Sequence, residues 1–211
     1  MDLALIGEGG HSKVIKDLII GSKQGYKIRA ILDDKYEQLQ FVGDVYRGPI
    51  SSAHDLAEQI SSLKFVIGIG SNRIRKTIAD QLGLTSESYM TLIHDSAIVS
   101  PSALIGAGSV IMAYTIVNAD VVIGDHAIIN SGAIVEHDSY VGDYVHIAPK
   151  ALLTGAVVAH EGAMIGAGAT IIPGKRMGEW ATVGAGATVI HDIPAYRTAV
   201  GTPARMIAKS S

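Results

Sequence analysis

Two places in the 211-residue chain combine residue types at spacings that chemistry can use. The first is Glu136-His137-Asp138, a charged triplet within a run otherwise made of strand and turn residues, followed nine positions later by His146. An imidazole beside a carboxylate is the elementary general base. The carboxylate accepts a hydrogen bond from one ring nitrogen, fixes the tautomer and raises the basicity of the other nitrogen. Glu136 and Asp138 both flank the histidine, and the residues alone leave the choice between them open. The second place is GEGGHS, residues 7–12, between a strand-like and a helix-like run. Gly7, Gly9 and Gly10 allow the backbone to approach a phosphate closely at a helix N-terminus. Ser12 stands where a dinucleotide fingerprint has its third glycine, and close strand-to-helix packing explains glycines at such a turn equally well. Asp33 ends a second strand, in the position of an acid that binds ribose hydroxyls. GIGSN, residues 68–72, ends a third strand at the same edge. Three such features at one edge point to a nucleotide.

The elements that must carry these residues fall into two groups. Residues 1–86 alternate between strand and helix patterns. LALIG, YKIRAIL and LKFVIGIG read as strands; SKVIKDLI, with Val14, Ile15, Leu18 and Ile19, ISSAHDLAEQI, and NRIRKTIADQL, with Ile74, Ile78 and Leu82 on one face, read as helices. Alternation of this kind predicts an α/β, Rossmann-like N-terminal domain with a small parallel sheet.

From Ile93 the period becomes six. Every sixth residue from Ile93 to Val189 is aliphatic or Met, 17 positions without an insertion. The residue four places after each is small or β-branched except at Lys175. A sustained period of six means short strands joined by regular corners, a hexapeptide-repeat parallel β-helix over residues 87–196, followed by a C-terminal tail, 197–211. With one hexad per side of a triangular coil, residues 18 apart stack, and five to six coils at about 4.8 Å each make a prism roughly 25 Å tall. Glycine or asparagine often follows the aliphatic, as at Gly106, Asn118 and Gly142, and is expected to supply left-handed corners. This register sets Gly155 one coil above His137. It is the one glycine at the third place of a hexad, a notch beside the imidazole whose N–H is available to an oxyanion. His146 lies half a coil away, on another side of the prism, so it shares a site with His137 only across a subunit interface. His94, His126, His160 and His191 are expected on the surface.

Composition narrows the functions. With 17 basic and 20 acidic residues, and no basic tail or stripe, the chain lacks the footprint of a nucleic-acid binder. The absence of cysteine removes disulfides, thiolate zinc sites and a cysteine acyl-enzyme. No histidine pair has the spacing of a metal-ligand motif, so no metal is predicted. No apolar run approaches the roughly 20 residues of a membrane span, and MDLALIGEGG has no positive flank. A soluble, unprocessed, cytoplasmic protein is expected.

The combination of G-x-G-G-H opening a Rossmann-like domain, E-H-D within a hexapeptide solenoid and VGTPAR near the end resembles the bacterial nucleotide-sugar acetyltransferases. These comprise the UDP-4-amino-sugar N-acetyltransferases and the sialic acid O-acetyltransferase-like proteins. The resemblance implies an all-β left-handed parallel β-helix, against the usual right-handed crossover rule, and a homotrimer with active sites between neighbouring solenoids. It implies His137 as base on the sugar amine and Asp138 as the acid that increases its basicity, although one N-acetyltransferase of the family has glutamate at the latter place. It further implies acetyl-CoA as co-substrate at His146, Gly155, Ala167 and Ala185. A UDP-linked amino sugar is expected at Gly9, Gly10, His11, Asp33, Asp34 and Gly70, with exopolysaccharide or another glycan as its destination. A sugar hydroxyl as acceptor, or a non-catalytic nucleotide-sugar-binding solenoid, are the alternatives.

Overall fold

The structure is a computed structural model that describes residues 1–207; positions 208–211 of the expected tail lie outside the described residues. The chain forms two compact units, Met1–Leu92 and the part from Ile93 onward. The first unit runs past residue 86 because Tyr89 bridges Phe65 and the Met90 N–H donates to the Phe65 carbonyl at 2.9 Å.

In the first unit, β1 (Asp2–Ile6), α1 (Gly10–Gly21), β2 (Lys27–Leu32), β3 (Gln40–Val42), β4 (Val45–Gly48), α2 (Ala53–Gln59), β5 (Lys64–Ile67) and α3 (Asn72–Leu82) follow in order. The sheet order is β3-β4-β2-β1-β5, parallel except for β3 against β4. β1 lies between β2 and β5 and is aliphatic, and Leu3 to Ile6 are buried, as a strand with neighbours on both sides requires. α1 buries Ile15, Leu18 and Ile19, while Val14 is 46% exposed. α3 buries Ile78 and Leu82 but turns Ile74 outward and Arg75 inward, with Arg75 1% exposed. The reason is polar: the Arg75 guanidinium donates to the Ile69 carbonyl at 2.9 Å and to Asn72 Oδ1 at 3.0 Å. Ser12 is buried where α1 crosses β5, and a Cβ on Gly68 would meet the Ser12 Cβ at 2.9 Å, so the small residues serve close packing at this crossing.

In the second unit each hexad contributes a two-residue strand, and the strands stack into three parallel sheets. One sheet holds Ile116–Val117, Ile134–Val135 and Leu152–Leu153, the next Val122–Ile123, Tyr140–Val141 and Val158–Ala159, the third Ile128–Ile129, His146–Ile147 and Met164–Ile165. Partners are 18 residues apart as far as Thr188–Val189, for example Ile116, Ile134 and Leu152. The hexad aliphatics from Ile111 to Val189 are at most 2% exposed and make one continuous core. Ile93, at 40% exposure, belongs to Leu92–Ile93, the end strand of its sheet.

The corners correct one expectation. Left-handed backbone falls two positions later than the glycines following the aliphatics, at residues such as Asp120, Asp138, Ala156 and Gly174. The expected corner glycines instead permit coil-to-coil contact: a Cβ on Gly142 would lie 2.9 Å from the Glu161 nitrogen. Residues 197–206 likewise form part of the solenoid. Thr198–Val200 pairs in parallel with Thr182–Val183, and Arg205–Met206 folds back on it antiparallel.

Candidate active site

His137 stands on the corner after Ile134–Val135, with its side chain 62% exposed. Its Nδ1 lies 2.7 Å from Asp138 Oδ2. Asp138 adopts φ 59°, a left-handed conformation that aspartate tolerates better than most residues, and this turns its carboxylate back beside the preceding ring. Glu136 is engaged elsewhere: its Oε2 accepts from Asn118 Nδ2 at 2.8 Å, one coil away. The bond from Asp138 raises the His137 pKa, and the charges of Asp138 and Glu136 add to it. Gly155 lies directly against the imidazole. The Ala156 N–H donates to the His137 carbonyl at 2.9 Å, and a Cβ on Gly155 would sit 2.7 Å from His137 Cε1 and 2.8 Å from Nε2. The ring therefore occupies the volume that a side chain at 155 would fill.

The other solenoid residues lie apart from this pair. His146 belongs to a different sheet from the strand preceding His137, is 8% exposed, and its Nε2 is 3.0 Å from Asn130 Nδ2. Asn130 is not among the site residues expected from the sequence; its position nearly one coil before His146 is the signal that points to it. Ala167 and Ala185 are exposed and stack on the corner following the sheet of His146, joined by the Gly186 N–H to the Ala167 carbonyl at 2.8 Å. His126 contradicts its expected surface position. It is 5% exposed and its ring stacks on Tyr144, one coil on, at 5.2 Å between centroids.

In the first unit Gly7 holds φ 93° and donates to the Leu32 carbonyl at 2.7 Å. Gly9 and Gly10 are exposed, and a Cβ on either would meet nothing within 4 Å. A Cβ on Gly70 would lie 3.7 Å from His11 Cβ, so the first and third strand ends meet through this pair. Burial, reinforced by the Arg75 charge, pulls the His11 pKa down to about 4. His11 is thus neutral near pH 7, and its contribution to an anion is a hydrogen bond without a charge. Asp33 is held at the same edge, its Oδ2 accepting the Glu8 N–H at 2.7 Å and its Oδ1 the Lys35 N–H at 3.1 Å. Asp34 points to other partners: its Oδ1 accepts the Ile50 N–H at 2.9 Å, and it lines a separate cavity with His54 and Gln81.

A further cluster at this edge was not read from the sequence. Glu8 Oε1 accepts from Arg47 at 2.9 Å, and its Oε2 accepts from Tyr36 Oη at 2.5 Å and pairs with Lys35 at 2.8 Å. Burial works to raise the Glu8 pKa, but the bonds from Lys35, Tyr36 and Arg47 outweigh it and hold the group at about 2. Arg47 comes from the β3–β4 hairpin, which was also missed; Gly43-Asp44 between two strand runs is its two-residue turn signal. Among the described residues no group of three or more His, Asp or Glu is placed to hold a metal ion, and no helix is long and apolar enough to cross a membrane.

Residues 2–82 match the PglD N-terminal domain, and residues 102–137 and 120–155 match the bacterial transferase hexapeptide model of six repeats. The GDP-perosamine N-acetyltransferase of Escherichia coli O157:H7 is 31% identical over 184 residues, 82% of this chain and 83% of that one. The chain belongs to the bacterial hexapeptide-repeat acyltransferases related to nucleotide-sugar N-acetyltransferases. The family's solenoid is the left-handed β-helix. PerB from Caulobacter crescentus, solved in complex with CoA and GDP-perosamine, superposes with a TM-score of 0.88 at 36% identity, over 99% of this chain and 98% of that one. The acetyltransferase domain of PglB from Neisseria gonorrhoeae, in complex with acetyl coenzyme A, gives 0.82 at 36%, over 98% of both chains. UDP-N-acetylbacillosamine N-acetyltransferase of Bacillus subtilis is 47% identical over 112 residues, 53% of this chain and 51% of that protein, so the match spans about half of that relative.

Proposed function

We propose that His137 is the general base of an acetyl transfer to the amine of a nucleotide-linked sugar, oriented by Asp138 and seated against Gly155. The chain is an acetyl-CoA-dependent acyltransferase that N-acetylates a nucleotide-linked amino sugar, as its relatives do. The carrying observation is the 2.7 Å bond from His137 Nδ1 to Asp138, which leaves Nε2 as the basic nitrogen, over a notch only glycine provides. In the transfer, Nε2 takes a proton from the amine as its nitrogen bonds to the thioester carbonyl carbon. The Gly155 N–H stabilises the oxyanion. The C–S bond then breaks, the imidazolium returns the proton, and CoA leaves as the thiol. No covalent acetyl-enzyme intervenes.

His146, Gly155, Ala167 and Ala185 bind acetyl-CoA in this account, and Gly9, Gly10, His11, Asp33, Asp34 and Gly70 bind the nucleotide sugar. Because His137 and His146 belong to different sides of one prism, they meet at a site only when neighbouring subunits supply one each, and a homotrimer meets that need. The cytoplasm, where a chain free of cysteine needs no oxidising partner, is the proposed location. Exopolysaccharide or a related glycan is the proposed destination of the product. The experiment is to mix the protein with acetyl-CoA and UDP- and GDP-linked 4-amino sugars and follow free thiol. Release with an amino sugar, and none with its hydroxyl analogue, is expected. Release only with a hydroxyl acceptor, or with no acceptor, overturns the assignment.

A further inference from the structure

We propose that the buried Arg75 is a positioning residue for the nucleotide-linked substrate, setting from beneath the backbone of residues 69–71 so that the amides of this turn face the ligand. The inference rests on the reading above that Gly70 and His11 help to hold that substrate. Arg75 touches no ligand in this account and acts through the turn it clamps.

Packing does not explain an arginine at this place. α3 buries Ile78, Ala79 and Leu82, and position 75 lies on the same face, three, four and seven residues before them. An aliphatic side chain there would complete the apolar face, and one is adjacent: Ile74 is 53% exposed while Arg75 is 1% exposed. Taking a guanidinium out of water is costly, and apolar residues of similar volume often serve a core at least as well as buried charges. Core stability alone favours the reverse arrangement, with the aliphatic inside and the arginine outside. What Arg75 holds, rather than what it packs against, accounts for its burial.

Its guanidinium donates from Nη1 to the Ile69 carbonyl at 2.9 Å and to the Gly70 carbonyl at 3.4 Å, and from Nη2 to Asn72 Oδ1 at 3.0 Å. One planar fork thus ties two successive carbonyls of the turn to the first residue of α3, a geometry that a lysine ammonium does not reproduce. The consequence lies on the opposite side of the backbone. In a trans peptide the N–H points away from the preceding C=O, and the peptide bonds of this turn are trans. With the Ile69 and Gly70 carbonyls drawn down to Arg75, the Gly70 and Ser71 N–H groups are directed away from it, towards the side on which Ser71 is exposed. Gly70 also passes the placement on to the first glycine turn. A Cβ at position 70 would lie 3.7 Å from His11 Cβ and 3.9 Å from its Cγ, so a displaced turn displaces the seat of His11. The Arg75 charge adds to burial in keeping His11 neutral.

Two variants separate geometry from charge: Arg75→Met removes the fork and the charge, and Arg75→Lys keeps the charge and removes the fork. Each full chain is titrated calorimetrically with UDP, with GDP and with CoA, and its thermal unfolding is recorded on the same preparation. The nucleotide that wild type binds is expected to bind Arg75→Met about tenfold or more weakly, on the scale of one hydrogen bond to a charged group. Arg75→Lys is expected to recover little of that loss, and CoA affinity is expected to stay at the wild-type value in both. Undiminished nucleotide affinity in Arg75→Met, or full recovery in Arg75→Lys, overturns the positioning role and leaves the nucleotide-sugar reading intact. A loss that appears only in a variant whose first unit has unfolded at the assay temperature makes Arg75 a folding residue and overturns the role as well. Failure of wild type to bind either nucleotide overturns the nucleotide reading itself, and the role of Arg75 with it.

Discussion

Gly155→Ala separates the chemistry of the site from its stability. A methyl group at 155 would lie 2.7 and 2.8 Å from His137 Cε1 and Nε2, inside any tolerable contact, so the imidazole must leave its seat. The ring is 62% exposed and can swing into solvent, which makes the movement cheap for the fold. The swing breaks the 2.7 Å bond to Asp138 and carries Nε2 away from the acceptor amine. Backbone strain does not enter, because Gly155 is absent from the residues with positive φ. Replacing a glycine whose conformation alanine shares changes stability by between zero and about 1 kcal/mol in the stabilising direction. A misplaced general base forfeits up to about 10²- to 10⁴-fold in rate. The expected result is therefore a fall in kcat of at least about 100-fold with an unchanged or slightly raised Tm. Thiol-release kinetics and thermal unfolding on the same preparation read both. A variant with near-normal kcat would show that the base does not depend on this seat, and one that loses activity only through a large drop in Tm would make Gly155 a folding residue.

Three more outcomes follow from the same geometry. Asp138 raises the His137 pKa, and the base acts only when neutral, so activity rises with pH through that raised value. Asp138→Asn should move the acidic limb of the kcat/KM profile to lower pH while reducing the plateau, and an unmoved limb would mean that Asp138 does not set the basicity. Glu8 is held at about 2, below its ordinary 4.5, so its network contributes stability above pH 4.5 that is lost as pH falls towards 2. The Tm advantage of wild type over Glu8→Gln should therefore shrink across that interval, and a constant gap would argue against the network. Finally, if sites are shared between subunits as proposed, His137→Ala and His146→Ala chains, each impaired alone, should regain activity when co-assembled, because some sites would then receive both intact histidines. No recovery in verified mixed oligomers would place both residues of a site in one chain.

The solenoid was legible because one physical requirement, an aliphatic side chain filling the core of each short strand, repeats every six residues from Ile93 to Val189. The same register sets Gly155 one coil above His137. The choice between Glu136 and Asp138 was not legible, since it depends on the left-handed backbone of Asp138 and on Asn118 occupying Glu136 from the coil before it. His126 was misread although the register sets Tyr144 one coil away: whether two corner side chains stack on each other or turn to solvent depends on rotamers that spacing alone does not fix. In the first unit the strands and helices could be read from their periods. The Glu8, Lys35, Tyr36 and Arg47 network could not, because it joins three separate segments through side chains that look like ordinary surface residues.

The most direct test of the central claim is the turnover of His137→Ala with acetyl-CoA and an accepted nucleotide-linked amino sugar, measured against wild type at equal fold and assembly. The account predicts a fall in kcat of about 10²- to 10⁴-fold, with CoA binding retained. Turnover close to wild type would remove His137 from the base role and with it the mechanism proposed here.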